Sequence, residues 1–402
     1  MRSLLRIFLL LLFVFFPVAI EMVAQDLPDE AEKEWCTKLN IRLDQLCSSP
    51  MFRTSQFALC VYDLTSDTLL YERNAQQLMR PASTMKLLTA ITGLSVLGGS
   101  YTFQTRLYHT GSVCDGVLQG DVYVVGGFDP RFGKDDMISF VEAIQSLGID
   151  SIAGMLYGDV SFKDTLRWGE GWCWDDEMEC LTPLLYNEKD QFLFHFRSTL
   201  SDYGIGINLV DTLFVQTGRC PSDVVLITCR SHSIDQILHP MMKESDNLYA
   251  ESLFYQLASP LPGASARDAV RPIKHHIRQM GLDPEAYRIA DGSGLSLYSY
   301  LSAELEVAFL RYAYQHSPIF VPLYASLPIA GVDGTLKHRM RRGAAYKRVR
   351  AKTGSVRSVS TLAGYATASN GHQLAFCIFN QGLLRLKPGR DFQDSVCEVL
   401  CR

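Results

Sequence analysis

The sequence predicts an α+β protein in which both ends of the chain build one domain around a smaller, β-rich insertion. Residues 28–47 (PDEAEKEWCTKLNIRLDQLC) begin acidic and continue with spaced apolar positions, the signature of a helix. Two apolar runs follow, QFALCVYDL (56–64) and TLLYERN (68–74), joined by Thr65-Ser66-Asp67, and read as a hairpin. At the far end AKTGSVRSVSTLAGYATA (351–368) is expected as a strand, Asn370-Gly371 as a type I′ turn, HQLAFCIFN (372–380) as the returning strand and 389–401 as a closing helix. Between 102 and 230 the texture changes to short β-like runs such as GDVYVVGG (120–127), SIAGMLYGDVSF (151–162) and DVVLITC (223–229). The expected division is a signal peptide at 1–25, a domain made of 26–101 and 231–402, and an inserted domain at 102–230.

The stretch MRPASTMKLLTA (79–90) carries the chemistry. Pro81 suits a first helical turn, and the run from Met85 to Leu94 has helical apolar spacing, so Ser83 is expected at a helix N-terminus. Positions i and i+3 share a helix face, which brings the Lys86 amine within reach of the Ser83 hydroxyl. A serine nucleophile needs a base in that position. One Ser-x-x-Lys is expected by chance in about 400 residues, so what accompanies it decides. Two tripeptides do: Ser245-Asp246-Asn247, near a helix start, and Lys352-Thr353-Gly354, on a strand. Ser, Asp and Asn also suit a helix cap, and capping is compatible with catalysis.

In this order the three motifs are the signature of serine β-lactamases and penicillin-binding proteins. The expected reaction is acyl transfer: Ser83 attacks a carbonyl, and water later releases the acyl group. Lys86 must be neutral to accept the proton, and burial together with the neighbouring Lys352 is expected to lower its pKa. Ser245 is expected to relay a proton to the leaving amine, and Asn247 to orient Lys86 and bind the substrate amide. Lys352 and Thr353 suit a substrate carboxylate, Gly354 close approach of the substrate backbone, and the N–H groups of Ser83 and Ser355 an oxyanion hole.

The rest of the chain bounds this reading. Its 402 residues, 47% of them hydrophobic, supply a large core. Arg2 and Arg6 precede an apolar run from Ile7 to Phe16, and Met22-Val23-Ala24 precedes Gln25, as in a cleavable secretory signal with a periplasmic destination. The alternatives there are an uncleaved anchor or peripheral membrane association. Without residues 1–25 the formal charge moves from −5 to −6, which leaves no nucleic-acid footprint. Eleven cysteines in an exported chain suggest disulfides and leave at least one thiol unpaired: Cys173 with Cys180 and Cys220 with Cys229 are local pairs, Cys36 and Cys47 with Cys397 and Cys401 could tie the two termini together, and Cys60 and Cys377 lie in apolar runs and suit core thiols. The pairs lack Cys-x-x-Cys spacing, so no metal or cofactor is expected. Gly126-Gly127-Phe128-Asp129-Pro130 is expected as a structural turn rather than a phosphate loop. GWCWDDEMEC (171–180) reads equally as a stacking surface or as wall packing.

Beyond the catalytic motifs, GDVYVVGGFDP, GWCWDD, SDNLYAE, DGSGLS and LPIAGVDGTLKHR resemble the D-alanyl-D-alanine carboxypeptidase/endopeptidases, the class C low-molecular-mass penicillin-binding proteins (penicillin-binding protein 4 type). The resemblance spans nearly all of the mature chain. It implies a serine β-lactamase/transpeptidase-like domain, an antiparallel sheet with helices on both faces, interrupted between the first and second motifs. It further implies hydrolysis of the terminal D-Ala-D-Ala or the crosslink in peptidoglycan stem peptides, and acylation by β-lactam antibiotics. By the same resemblance Asp159, within GDVSF, and Arg339 match substrate contacts; a turn-capping aspartate and a surface arginine are the competing readings. The chain departs from the family at two places. Only 162 positions separate Ser83 from Ser245 where the family commonly inserts two subdomains, and Arg357 stands where a neutral residue is expected.

Two other functions share these residues. A β-lactamase sets its second motif about sixty positions after the first and adds a deacylating glutamate; here the gap is far larger and Glu285, in DPEAYRIA, lacks the asparagine four positions on. A non-catalytic cell-wall binding protein would have no need of Ser83, Lys86, Ser245, Asn247, Lys352 and Thr353 together.

Overall fold

The computed structural model describes residues 30–176, 178–207, 215–258 and 263–402; the expected signal peptide lies outside them. The first described elements are α1 (Glu30–Cys47), β1 (Gln56–Asp63), β2 (Thr68–Arg73), α2 (Met85–Leu97) and β3 (Thr102–His109). Then come β4 (Ser112–Cys114), β5 (Val117–Gln119), β6 (Val122–Val125), α3 (Lys134–Ser146), β7 (Ser151–Ile152), β8 (Leu156–Asp159), α4 (Phe192–Asp202), β9 (Gly206–Ile207), β10 (Val215–Thr217) and β11 (Val225–Ser233). The last part holds α5 (Ile234–His239), α6 (Asn247–Gln256), α7 (Ala266–Gln279), α8 (Ala303–Gln315), α9 (Ser317–Ser326), β12 (Val349–Val356), β13 (Val359–Thr367), β14 (Gln373–Gln381) and α10 (Leu386–Leu400). Leu39–Arg402 form one compact unit, and the described residues Glu30–Lys38 fall outside it.

The two chain ends share one antiparallel sheet, in the order β12-β13-β14-β1-β2. Its join is β1 against β14, with Cys60 opposite Cys377. Phe57, Asn380 and Ser360 are cross-strand neighbours on one face. There α10 lies down: Gln393 Nε2 donates to Ser360 Oγ and Asn380 Oδ1, both at 3.1 Å, and Phe392 meets Phe57 edge-on at 5.8 Å. Cys377, three positions from Asn380, faces the other side, where its Sγ meets Glu306 of α8 at 3.3 Å. Helices therefore cover both faces, as expected.

Residues between β3 and β11 form a second sheet, β10-β8-β6-β3-β11, and a small one, β4-β5-β7-β9. Their own apolar cluster includes Phe132, Phe140, Phe192 and Phe196. Two helices here, α3 and α4, go beyond the strands expected. The signal for α3 is in the sequence: Met137, Phe140, Val141 and Ile144 share one helical face and are buried, and Asp136 Oδ2 accepts from Gly133 N–H at 3.0 Å in the first turn. The Gly126–Pro130 segment is a structural turn: a Cβ on Gly126 would meet Pro183 O at 2.5 Å, and on Gly127 Gln104 O at 2.1 Å.

Three local expectations change. Residues 351–368 are a hairpin rather than one strand, because Arg357-Ser358 turns the chain with Val356 opposite Val359 and Ser358 at φ 63°. The Asn370-Gly371 turn is not type I′, which needs positive φ at both residues; Gly371 has φ 90° while Asn370 does not, and Gly371 N–H bonds Ala368 O at 3.1 Å. Neither the local cysteine pairs nor the expected tie between the termini is bridged: Cys47, Cys173, Cys180, Cys220, Cys229, Cys397 and Cys401 are free thiols. Cys180 Sγ instead accepts from Arg167 Nη2 at 2.8 Å. Cys60 is the expected core thiol, and burial pushes it up to about 12. Among the described residues no helix is long and apolar enough to cross a membrane.

Candidate active site

Ser83 sits in a tight helical turn, Ala82–Thr84, that feeds directly into α2. The turn is held from several sides. Pro81 O accepts from Thr84 Oγ1 and from Thr361 Oγ1 of β13, both at 2.7 Å. Ala82 takes a left-handed φ of 48°, which a non-glycine residue adopts only under constraint. Its carbonyl lies where a Cβ on Gly294 would come within 1.8 Å, so only glycine fits there. Gly354 makes the matching approach from β12: a Cβ would stand 2.0 Å from Thr361 Oγ1 and 2.9 Å from Ser83 N. The space this glycine leaves is taken by the protein's own nucleophile turn, so packing, rather than substrate approach, explains the residue.

Lys86 is fully buried on α2, one turn after Ser83. Its Nζ lies 2.9 Å from Ser83 Oγ, 2.7 Å from Asn247 Oδ1 and 3.0 Å from Ser293 O. A neutral amine has two hydrogens and one lone pair. Asn247 and Ser293 offer only acceptors and take both hydrogens, which leaves the lone pair aimed at the serine hydroxyl.

Within Ser245-Asp246-Asn247 each residue has its own task. Ser245 ends the turn Pro240–Glu244 in a left-handed conformation, φ 66°. Asp246 is the α6 cap, accepting from Tyr249 N–H at 3.1 Å. Asn247 opens the helix facing Lys86. Lys352 is buried on β12, and its Nζ donates to Ser245 Oγ at 2.8 Å and Thr353 O at 2.7 Å. Thr353 Oγ1 bonds Thr335 Oγ1 at 2.8 Å. β12 is the edge of its sheet; its first residues pair with Pro328–Ala330, Ala351 N–H donating to Pro328 O and Ala330 N–H to Val349 O, both at 3.0 Å, and from Thr353 on its outer row is open to an added strand. Ser355 lies on that strand, with Arg390 Nη2 3.3 Å from its Oγ.

Behind the lysine stand two carboxyl groups to which sequence reading gave no role. Glu251, buried on α6, accepts from the N–H groups of Gly292 (3.1 Å) and Ser293 (2.8 Å). Asp291 accepts from Gly294 N–H, Ser296 N–H and Trp172 Nε1 at 3.1, 2.7 and 3.0 Å. Together they fix the loop whose Ser293 carbonyl meets Lys86. The only trace of them in the sequence is their place inside SDNLYAE and DGSGLS. Trp172 is thereby wall, whereas Trp174 is 96% exposed.

Burial lowers the Lys86 pKa to about 8, against the opposing pull of Asp291, Glu251 and Asp246. Burial also holds Lys352 well below its ordinary value, and repulsion from Lys86 adds to this. Of the two causes expected to lower Lys86, burial and the neighbouring Lys352, burial is the one that acts; the repulsion between the two amines falls on Lys352. Glu251 is pushed up to about 8 by burial and by Asp291.

Asp159 and Arg339 have other occupations. Asp159 accepts from Ser161 N–H at 2.8 Å and Cys220 N–H at 2.7 Å, one through each carboxylate oxygen. It lines a cavity of about 430 Å³ with Lys163, Asp164 and Arg167, which none of the Ser83 cluster lines. Arg339 is tied to α10, donating to Asp394 Oδ1 at 2.7 Å and Gln393 Oε1 at 3.0 Å. A turn-capping aspartate and an anchoring arginine are the roles these bonds describe.

A serine and lysine on one helix, a serine and asparagine flanking a cap, and a lysine on an edge strand form a site for acyl transfer. Comparison with known proteins agrees. A D-alanyl-D-alanine carboxypeptidase of Actinomadura sp. (strain R39) is 25% identical over 444 residues, covering 86% of this chain and 81% of that protein. The fold is similar to penicillin-binding protein 4 from Haemophilus influenzae, with TM-score 0.79, 22% identity and coverage of 89% of this chain and 97% of that one. The same protein complexed with a β-lactam aligns with TM-score 0.72, 22% identity and coverage of 90% and 99%. Residues 39–188 and 186–401 match the D-Ala-D-Ala carboxypeptidase 3 (S13) family, and with all three motifs inside those spans this chain belongs to that family.

Proposed function

We propose that this chain is a serine-type D-Ala-D-Ala carboxypeptidase, and a DD-endopeptidase where the leaving group is a second stem peptide, acting on peptidoglycan through an acyl-enzyme on Ser83. The observation that carries the reading is the lone pair of Lys86, aimed at Ser83 Oγ by two neighbouring acceptors.

The substrate peptide lies along β12 as an added strand. Its terminal carboxylate meets Lys352 and Thr353, which favours the charged form of Lys352; that charge in turn disfavours protonation of Lys86. Lys86 takes the Ser83 proton as Oγ bonds to the D-Ala carbonyl carbon. The oxyanion is held by the N–H groups of Ser83 and Ser355, each such donor being worth about 10²–10³ in rate. As the C–N bond breaks, the proton taken by Lys86 is relayed through Ser245, bonded to Lys352, to the leaving amine, which leaves Lys86 neutral again. Water activated by Lys86 then hydrolyses the ester and regenerates Ser83. A β-lactam acylates the same oxygen, but its opened ring keeps the amine attached, so the leaving group stays in the site.

The basic, apolar start of the chain supports export to the periplasm, where this substrate lies, with peripheral membrane association as a further part of the proposal. The test is incubation with purified pentapeptide monomers and crosslinked dimers, read by mass. Loss of one D-Ala, or dimer cleavage, in wild type and not in Ser83→Ala supports the reading. No change in either substrate overturns it.

A further inference from the structure

A buried chain of hydrogen bonds runs from the main sheet to the nucleophile turn through Glu306 of α8. Glu306 is fully buried, in a helix whose other buried residues include Leu305, Val307, Phe309 and Leu310. Among the described residues it pairs with no cation; its two oxygens meet Thr84 Oγ1 at 2.6 Å and Cys377 Sγ at 3.3 Å. Cys377 of β14 donates its S–H to one carboxyl oxygen, and the other is shared with Thr84. Thr84 Oγ1 donates in turn to Pro81 O at 2.7 Å, and Pro81 O takes a second hydrogen from Thr361 Oγ1 of β13, also at 2.7 Å. The chain thus joins α8, β14 and β13 to a carbonyl two residues before Ser83.

Packing alone does not require a carboxyl there. An apolar side chain of similar shape fills the same space without the cost of burying a polar group. What the bonds of Glu306 hold is the turn. Ala82, between Pro81 and Ser83, has a left-handed φ of 48°, which persists only where the surroundings over-determine it. Gly294 and Gly354 make room for that turn, and Glu306 and Thr361 hold it in place. The tie survives either protonation state: a neutral Glu306 donates to Thr84, and an ionised one accepts from it. A change of pH therefore moves stability, while Thr84 stays bonded to α8.

We propose that Glu306 is a positioning residue for the acyl transfer, holding Ser83 Oγ in line with Lys86 through Thr84. This inference rests on the reading of Ser83 above and names a residue on which its geometry depends. Glu306 touches neither the substrate nor the reacting atoms.

The test compares Glu306→Met, which keeps the volume and removes both bonds, with Glu306→Gln, whose amide donates to Thr84 and whose carbonyl accepts from Cys377. Turnover of pentapeptide monomer and acylation by a fluorescent penicillin are measured at pH 7. Glu306→Met is expected to lower kcat and the acylation rate at least about tenfold, since a displacement of about 1 Å can cost about 10². Its KM is expected within about twofold of wild type, because no substrate contact is lost. Its thermal midpoint at pH 9 is expected to be no lower than that of wild type, the reverse of what a merely structural role predicts. Glu306→Gln is expected to keep the wild-type kcat. Thr84→Val cuts the chain at its other end and carries the test if Glu306→Met does not fold. It is expected to lose as much rate, and the double variant Thr84→Val/Glu306→Met to be no slower than Thr84→Val alone, because both changes remove one tie.

A kcat for Glu306→Met within about twofold of wild type, a loss that Glu306→Gln shares, or a loss matched by a fall in the folded fraction overturns the inference. Multiplied losses in the double variant overturn it as well. All of these leave the chemistry of Ser83 intact. Absence of both turnover and penicillin acylation in wild type overturns the reading of Ser83 and this inference with it.

Discussion

Replacing Asn247 by Asp tests how Lys86 is kept neutral. Asn247 Oδ1 lies 2.7 Å from the lysine Nζ, so Asn247→Asp puts a carboxylate where an uncharged acceptor stood, with almost no change in shape. With Lys86 at about 8, about a quarter of the molecules carry a neutral amine at pH 7.5. A carboxylate this close raises a lysine pKa by about 1–3 units. Taking about two, the neutral fraction falls to about one in 300, and acylation slows by about 75-fold. The assay is the second-order rate constant for acylation by a fluorescent penicillin between pH 6 and 10. Wild type is expected to accelerate towards a plateau above pH 8, and Asn247→Asp to accelerate only two units higher. Asn247→Ala is the control for lost orientation, slower without an upward shift of the limb. If Asn247→Asp reacts at the wild-type rate at pH 7.5, or keeps the wild-type limb, the lysine-base argument is wrong.

Further predictions follow from the surroundings. Thr84 Oγ1 has one hydrogen but two close oxygen partners, Pro81 O at 2.7 Å and Glu306 Oε1 at 2.6 Å, so a protonated Glu306 donating to Thr84 satisfies both. Burial pushes Glu306 up to about 8. Its folded form thus binds more protons than the unfolded one between about pH 4.5 and 8, and stability falls as pH rises through that window; Glu306→Gln is expected to remove this slope, gaining several °C in Tm at pH 9 and little at pH 5. Gly354→Ala drives a Cβ into Thr361 Oγ1 and the Ser83 turn, so acylation is expected to drop about 100-fold through misplacement of the nucleophile, with the circular dichroism unchanged. Arg339→Ala breaks the tie to Asp394 and Gln393 and is expected to cost about 1–3 kcal/mol in denaturant unfolding, leaving KM for a monomeric pentapeptide unchanged. A raised KM at constant stability would return Arg339 to substrate binding.

How far the molecule could be read in advance depended on whether a feature is local. The three motifs are short strings whose chemistry needs those residue types, and the structure draws Ser83, Lys86, Ser245, Asn247, Lys352 and Thr353 together. The shared sheet was legible because both ends of the chain carry continuous apolar runs of strand length, and the pairing of β1 with β14 buries both. Helices α3 and α4 were overlooked beside short apolar runs, although the α3 face has regular spacing. The Arg357-Ser358 turn was overlooked because it holds no Gly, Pro, Asn or Asp, and Ser358 alone is a weaker turn signal inside an apolar run. Asp159 and Arg339 could not be judged from sequence, since their bonds run to Cys220 and to Asp394. The buried Glu251, Asp291 and Glu306 were hidden for a like reason: a carboxyl inside an apolar helix or a glycine-rich loop gains its meaning from long-range partners alone.

The most direct measurement is the intact mass of the mature protein after reaction with penicillin, for wild type and Ser83→Ala, with the adduct mapped by peptide digestion. The account predicts one stable acyl group on wild type, located on Ser83, and none on the variant. An adduct that survives in Ser83→Ala, or maps to another residue, would contradict the assignment of Ser83 as nucleophile. Rapid turnover of penicillin with no lasting adduct would contradict the carboxypeptidase reading in favour of a β-lactamase.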